Sequence, residues 1–237
     1  MCRGYRNKFG MTTLKILYTK EVKIIGHRGA KGLAPENTLA AIKKALQHHV
    51  DEIEIDVRVT KDGVAILLHD PVLVDAAGNT LELTQHSYEE LLEHKPDLCT
   101  LDEAIQLVNK RVPLLIEIKP KVDPKSIIAL IELYQSAELS VASFDMQILL
   151  DVHRALPSVP LVVNDDWSGV RAAWRARKLG TKRLNMYALW LWPGFLRSMK
   201  RRGYQIAPYT VNTAKLAKQW QPYIYGVITD FPDLFEK

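Results

Sequence analysis

The chain has 237 residues, 47% hydrophobic and 25% charged, which suffices for a full core and excludes a disordered or collagen-like protein. Its net charge of +5 is too small to argue for a nucleic-acid surface, and no nucleic-acid partner is expected. Two cysteines, Cys2 and Cys99, lie far apart without histidines at ligand spacing, against a disulfide framework or a zinc site.

Residues 1 to 20 start basic (Arg3, Arg6, Lys8), contain no apolar stretch of signal-peptide type and are expected to form an N-terminal extension, with Met11 a second candidate start. The longest apolar run, Met186 to Leu196, is about half a membrane span, and a cytoplasmic location is expected. From Lys23 onward, β-type runs recur at 23–26, 52–59, 114–119, 140–143, 160–164, 183–186, 205–211 and 226–229. Helical segments alternate with them and carry start signals: Thr38, the capping box Thr100-x-x-Glu103, Asp123-Pro124 as N-cap and first helical residue, and Pro193.

Eight strand and helix alternations imply a parallel sheet. Short, even units and the lack of a Gly-rich phosphate fingerprint after the first strand favour closure over an open sheet. The expected fold is α/β, a single (β/α)8 (TIM) barrel over residues 21–237. Between His69 and Leu114 the connection is too long for a βα loop, with turn residues at Asp75–Asn79 and a helix capped by Ser87-x-x-Glu90. It reads as a small insertion, about residues 71–100, after the second strand.

In the second strand Glu54, Asp56 and Arg58 share one face while Ile53, Ile55, Val57 and Val59 share the other. A buried parallel strand is normally apolar on both faces, so inward carboxylates are costly unless a cation offsets them. The third strand repeats the pattern with Glu117 and Lys119. Three inward carboxylates suit a hard divalent ion, Mg²⁺ or Ca²⁺. An ion-pair layer with Arg58 and Lys119 that only fills the barrel is the competing reading. Two histidines, His27 and His69, fall at the carboxyl ends of apolar runs, where barrel active sites lie, and suit paired acid and base work.

His27-Arg28-Gly29-Ala30, Pro35-Glu36-Asn37-Thr38, Glu54-Ile55-Asp56-Val57, Thr60-Lys61-Asp62-Gly63, His69-Asp70-Pro71, Ile116-Glu117-Ile118-Lys119, Tyr209-Thr210-Val211-Asn212 and Gly226-Val227-Ile228-Thr229-Asp230-Phe231-Pro232 occur in this order. The set resembles the glycerophosphodiester phosphodiesterase family from residue 23 onward, densely from His27 to Asp70 and thinly from Pro120 to Gln205. The resemblance implies metal-dependent hydrolysis of glycerophosphodiesters, small-molecule substrates, to sn-glycerol 3-phosphate and an alcohol, in glycerophospholipid catabolism. It implies that Glu54, Asp56 and Glu117 hold one divalent cation, Mg²⁺ or Ca²⁺, with Glu36 hydrogen-bonding near the site or ligating it. His27 and His69 become general acid and base, in either order, and Arg28 and Lys119 grip the phosphate. Tyr209 stands where the family's late motif carries Trp and keeps an aromatic wall for the substrate. Asn37 reads as a helix cap, and Phe144, after the fourth strand, as packing.

Ten basic residues and no Asp or Glu occupy Trp167 to Tyr204, together with Trp167, Trp174, Trp190 and Trp192. The favoured reading is a helix that packs its apolar face on the barrel. The alternative is a lip for peripheral membrane contact through Trp190 and Trp192, which makes lysophospholipids substrates of a lysophospholipase D-like activity. A non-catalytic, phosphodiester-binding barrel is the reading from another class. Loss of a histidine or a carboxylate would mark it, and none is lost.

Overall fold

The computed structural model describes residues 22–235; the expected extension over residues 1–20 lies outside them, as does Cys2. β1 (Lys23–Gly26) leads into α1 (Leu39–Gln47), which Thr38 caps by accepting the Ala41 amide at 3.2 Å. After β2 (Glu52–Val59) the chain leaves the ring. β3 (Ala65–Leu67) folds back antiparallel on β2, and β4 (Val72–Val74) and β5 (Thr80–Glu82) form a hairpin. α2 (Tyr88–His94) follows, and α3 (Leu101–Val108) returns the chain to the barrel. Both capping boxes are formed, Ser87 with Glu90 and Thr100 with Glu103. Ile66, Leu73, Leu81, Leu83, Leu91 and Leu98 give the insertion its own small core.

The ring continues as β6 (Leu114–Ile118), α4 (Lys125–Leu133), β7 (Leu139–Ser143), α5 (Met146–Ala155), β8 (Leu161–Asp165) and α6 (Gly169–Lys178). It ends with β9 (Arg183–Tyr187), α7 (Pro193–Arg201), β10 (Gln205–Tyr209), α8 (Ala214–Trp220) and β11 (Gly226–Thr229). The eight parallel strands run β10-β9-β8-β7-β6-β2-β1-β11. The free ends meet through Tyr225 N to Ile206 O at 2.8 Å and Val211 N to Ile228 O at 2.9 Å, so the barrel is nearly closed. One helix start differs from expectation. Pro124 takes the N-cap position, and Asp123 Oδ1 accepts the Lys125 amide at 3.2 Å as a side-chain turn one residue ahead of the helix.

Alternation along the strands sorts the side chains. Ile53, Ile55, Val57, Ile116 and Ile118 belong to the layer between strands and helices, with Ile42 and Ala45 of α1 and Ala104 and Ile105 of α3. On the axis, Leu115, Ala142 and Val162 form one small apolar cluster and Ile25, Ala207 and Ile228 another. Below them Glu52 and Arg183 close the amino end with an ion pair of 2.9 Å. No helix among the described residues is long and apolar enough to cross a membrane.

Candidate active site

Asp56 of β2 lies directly beside Glu117 of β6 in the parallel register, and Glu54 shares their face. All three are buried, with one oxygen from each within 4.8 Å of the others. Such a group is unstable without positive charge. Lys119 Nζ supplies some, 2.8 Å from Asp56 Oδ1 and 2.5 Å from Glu117 Oε1, and Arg28 Nε lies 3.0 Å from Asp56 Oδ2. Burial resists ionisation of Asp56, but Lys119 and Arg28 outweigh it and hold its pKa at about 2. Burial, then the charge of Asp56, pushes Glu117 up to about 7 in spite of Lys119. Glu54 accepts the Arg28 backbone N–H at 2.9 Å and has no side-chain ion pair among the described residues. Burial, then Asp56 and Glu117, drives its pKa well above the usual range. An all-oxygen group, short of positive charge and gathered within one ion's reach, fits a hard divalent cation.

The turn after β1 aims Arg28. Arg28 and Gly29 take left-handed φ values of 50° and 84°, and a Cβ on Gly29 would sit 2.6 Å from the Ala41 carbonyl carbon. Only glycine fits there. Glu36 stands outside the three-carboxylate group: it accepts from Arg28 Nη1 at 2.6 Å and pairs with Lys31 at 2.8 Å, bracing the guanidinium. Asn37 corrects its expected role. Thr38 is the cap, while Asn37, at φ 55°, donates from Nδ2 to Asp56 Oδ2 at 2.9 Å and accepts the Asp56 amide at 3.0 Å.

His27 Nδ1 is 2.5 Å from Asp230 Oδ1, and Asn212 Nδ2 donates to the other Asp230 oxygen at 2.8 Å. Burial opposes the charge on Asp230, but these bonds outweigh it and lower its pKa. His69 follows β3, which pairs antiparallel with β2, instead of one of the eight parallel strands, with Nδ1 2.8 Å from Asp70 Oδ1 and its carbonyl accepting from Arg58 Nε at 2.8 Å. Burial, then Lys119, lowers its pKa toward the neutral ring. Each ring thus has Nδ1 engaged by a carboxylate and Nε2 left for proton exchange. His27, His69 and the acidic group line one cavity of about 600 Å³, together with Arg28, Lys119 and Tyr209.

The far side of the cavity holds residues that sequence reasoning missed. Asn164 Nδ2 donates to Glu117 Oε2 at 2.8 Å, and Asn185 Nδ2 to Asn164 Oδ1 at 3.0 Å. Both asparagines interrupt apolar strands, the signal that marks Glu54 and Asp56. Asp230 and Asn212 lie in the late motifs, with no role readable from spacing. Phe144 lines the cavity and meets Tyr209 edge-on at 6.3 Å, so it is more than packing.

The tryptophan stretch also corrects its favoured reading. Leu189, Trp190 and Trp192 are 80%, 57% and 62% exposed, with only Ala188 and Leu191 buried among residues 187–192. Residues 188–190 form one short 3-10 turn and α7 begins only at Pro193, so the tryptophans stand on a rim segment ahead of the helix, while α7 packs its own Leu196 and Met199 on the barrel. Trp167, 71% exposed, sits with its ring 5.8 Å from that of Trp190.

A barrel mouth with two carboxylate-held imidazoles around a cation-competent acidic group suits a phosphoric diester hydrolase, since cleaving such an ester needs charge neutralisation and two proton transfers. The chain belongs to the glycerophosphoryl diester phosphodiesterase family, whose model matches residues 27–234. A glycerophosphodiester phosphodiesterase of Caldanaerobacter subterraneus subsp. tengcongensis is 26% identical over 229 residues, covering 89% of this chain and 94% of that protein. Among solved structures, a glycerophosphodiester phosphodiesterase from Thermotoga maritima superposes with a TM-score of 0.77 at 28% identity, over 92% of this chain and 98% of that one. An Oleispira antarctica phosphodiesterase, solved with the product sn-glycerol-3-phosphate, shares the fold with a TM-score of 0.81 at 24% identity, over 89% and 93% of the two chains.

Proposed function

We propose that the protein, as a single catalytic domain over residues 21–237, hydrolyses glycerophosphodiesters to sn-glycerol 3-phosphate and an alcohol in glycerophospholipid breakdown. The observation that carries this reading is the convergence of His27, His69 and the Glu54, Asp56 and Glu117 group on one cavity. The product held by the Oleispira antarctica relative supports it. One divalent cation, Mg²⁺ or Ca²⁺, belongs on the three carboxylates and when bound supplies positive charge against a phosphoryl oxygen. Arg28 and Lys119 then add a guanidinium fork and an ammonium point charge for the remaining phosphate oxygens. At Nε2, one histidine takes the proton of the attacking oxygen and the other gives one to the departing alkoxide; the attacker is water itself, or the glycerol 2-hydroxyl with water then opening the cyclic phosphate. Asp230 and Asp70 hold the opposite ring nitrogens. Cysteine usage, with Cys99 free and buried, suits a reducing cytoplasm.

Release of sn-glycerol 3-phosphate from glycerophosphocholine and glycerophosphoethanolamine tests the reading. His27→Ala and His69→Ala are each expected to lower kcat by about a hundredfold or more. Variants that keep the wild-type rate would remove the histidines from the mechanism.

A specific observation also favours peripheral membrane contact: Trp167, Leu189, Trp190 and Trp192 are all exposed beside the cavity's Asp166 and Tyr187. In this reading the mouth meets lipid, and lysophospholipids become substrates. Sedimentation with anionic liposomes is expected for wild type and lost in Trp190→Ala/Trp192→Ala, with lysophosphatidylcholine turnover falling in parallel. Equal sedimentation of the two proteins would remove the lip.

A further inference from the structure

The cavity has two unlike sides. Arg28 after β1, Arg58 on β2 and Lys119 after β6 come from three neighbouring strands, so the lysine and arginines of the cavity all lie on one side, together with the Glu54, Asp56 and Glu117 group. The next four strands in the ring, β7 to β10, contribute Phe144, Asn164, Asp166, Asn185, Tyr187 and Tyr209, with no cationic side chain on the cavity. Residues two apart on a strand share a face, so Asn164 and Asn185 form a deep layer, with Asp166 and Tyr187 above them.

The deep layer has a fixed polarity. The Glu117 carboxylate accepts from Asn164 Nδ2, which turns Asn164 Oδ1 toward Asn185 Nδ2 and leaves Asn185 Oδ1 buried without a partner. A buried acceptor left empty is unfavourable, and this one borders the cavity. Above it, Asp166 accepts the Tyr209 hydroxyl and forms no direct ion pair among the described residues; Arg171, near enough to feel its charge, is bonded to Asp165. Tyr209 is one of three rings on this side of the cavity: its centroid is 6.0 Å from that of Tyr187, and Phe144 stands edge-on to it. This wall carries a carboxylate, an unpartnered amide oxygen and aromatic rings with no cationic side chain, surroundings that attract an organic cation.

We propose that the wall is a subsite for a positively charged alcohol half of the substrate, an ammonium of the choline or ethanolamine kind. The assignment rests on the phosphodiesterase reading above and deepens it. A zwitterionic diester then lies across the mouth, its phosphate toward Arg28 and Lys119 and its ammonium toward Asp166, Tyr187 and Tyr209. A neutral alcohol such as glycerol gains the phosphate side alone.

The test compares kcat/KM for glycerophosphocholine and glycerophosphoglycerol in wild type and Asp166→Asn. Asparagine keeps an acceptor for the Tyr209 hydroxyl and removes the charge. Wild type is expected to favour the choline diester at least tenfold, and the ratio to fall at least fivefold in the variant, mainly through KM. Both substrates are turned over by the same sample, so the ratio does not depend on how much of the variant folds. Equal kcat/KM in wild type, or a ratio unmoved by Asp166→Asn, overturns the subsite and leaves the phosphodiesterase reading in place. No release from either diester overturns that reading, and the subsite with it.

Discussion

The Asp56 carboxylate is held by Lys119, Arg28 and Asn37 Nδ2, and its backbone N–H donates to Asn37 Oδ1. Asn37→Ala strips two of those bonds and leaves the Asp56 amide and one carboxylate oxygen short of partners in a buried place. The expected cost is about 1–3 kcal/mol, seen as a lower urea midpoint. An unchanged midpoint would mean that water replaces the asparagine freely. Asp230 acts through His27, so it is a positioning residue: Asp230→Asn removes the charge that orients the ring. The expectation is a kcat about 10–100-fold lower with KM little changed. A rise in KM at constant kcat would place Asp230 in substrate binding instead.

Elements differ in how much of them the sequence reveals. The eight barrel strands and the caps at Thr38, Ser87 and Thr100 are legible because alternation and capping are local, each settled within a few residues. Thr38→Ala is expected to cost about 1 kcal/mol in chemical unfolding through the loss of the α1 cap. A smaller loss would show water satisfying the helix end. Glu54, Asp56 and Glu117 are legible for a related reason, since a charge inside an apolar strand is conspicuous. What stays hidden is pairing across the chain. His27 and Asp230 are 203 residues apart in sequence, and the role of Asn37, which lies beside the local Thr38 cap, depends on where Asp56 lies. Tertiary context also decides the tryptophan run, which reads as core by hydropathy and stands in solvent because it lies on the rim ahead of α7, where only Ala188 and Leu191 turn inward.

For the whole molecule, the acidic group couples stability to pH and to metal. Glu117 has an ordinary pKa of 4.5 when unfolded and about 7 in the fold, so the folded state binds more protons between these values. Its contribution is full below pH 4.5 and is lost as pH rises through 7; Glu54, raised by the same burial and charges, acts in the same direction. His69, lowered by burial and Lys119, works the opposite way near pH 6.5, so the metal-free curve is a compromise. The metal increment is cleaner, because a cation on these oxygens displaces the protons. The gain in Tm on adding Mg²⁺ or Ca²⁺ is expected to be small at pH 5 and larger at pH 8. A gain independent of pH would place the ion elsewhere.

The central claim is that three barrel carboxylates hold the ion on which diester hydrolysis depends. Its most direct test is sn-glycerol 3-phosphate release from glycerophosphocholine by wild type and Glu54→Ala, after EDTA treatment and with Mg²⁺ or Ca²⁺ restored. The account predicts release that stops with EDTA, returns with one of the two ions in wild type, and is absent at every ion concentration in a folded Glu54→Ala. Release that survives both EDTA and the substitution would contradict it.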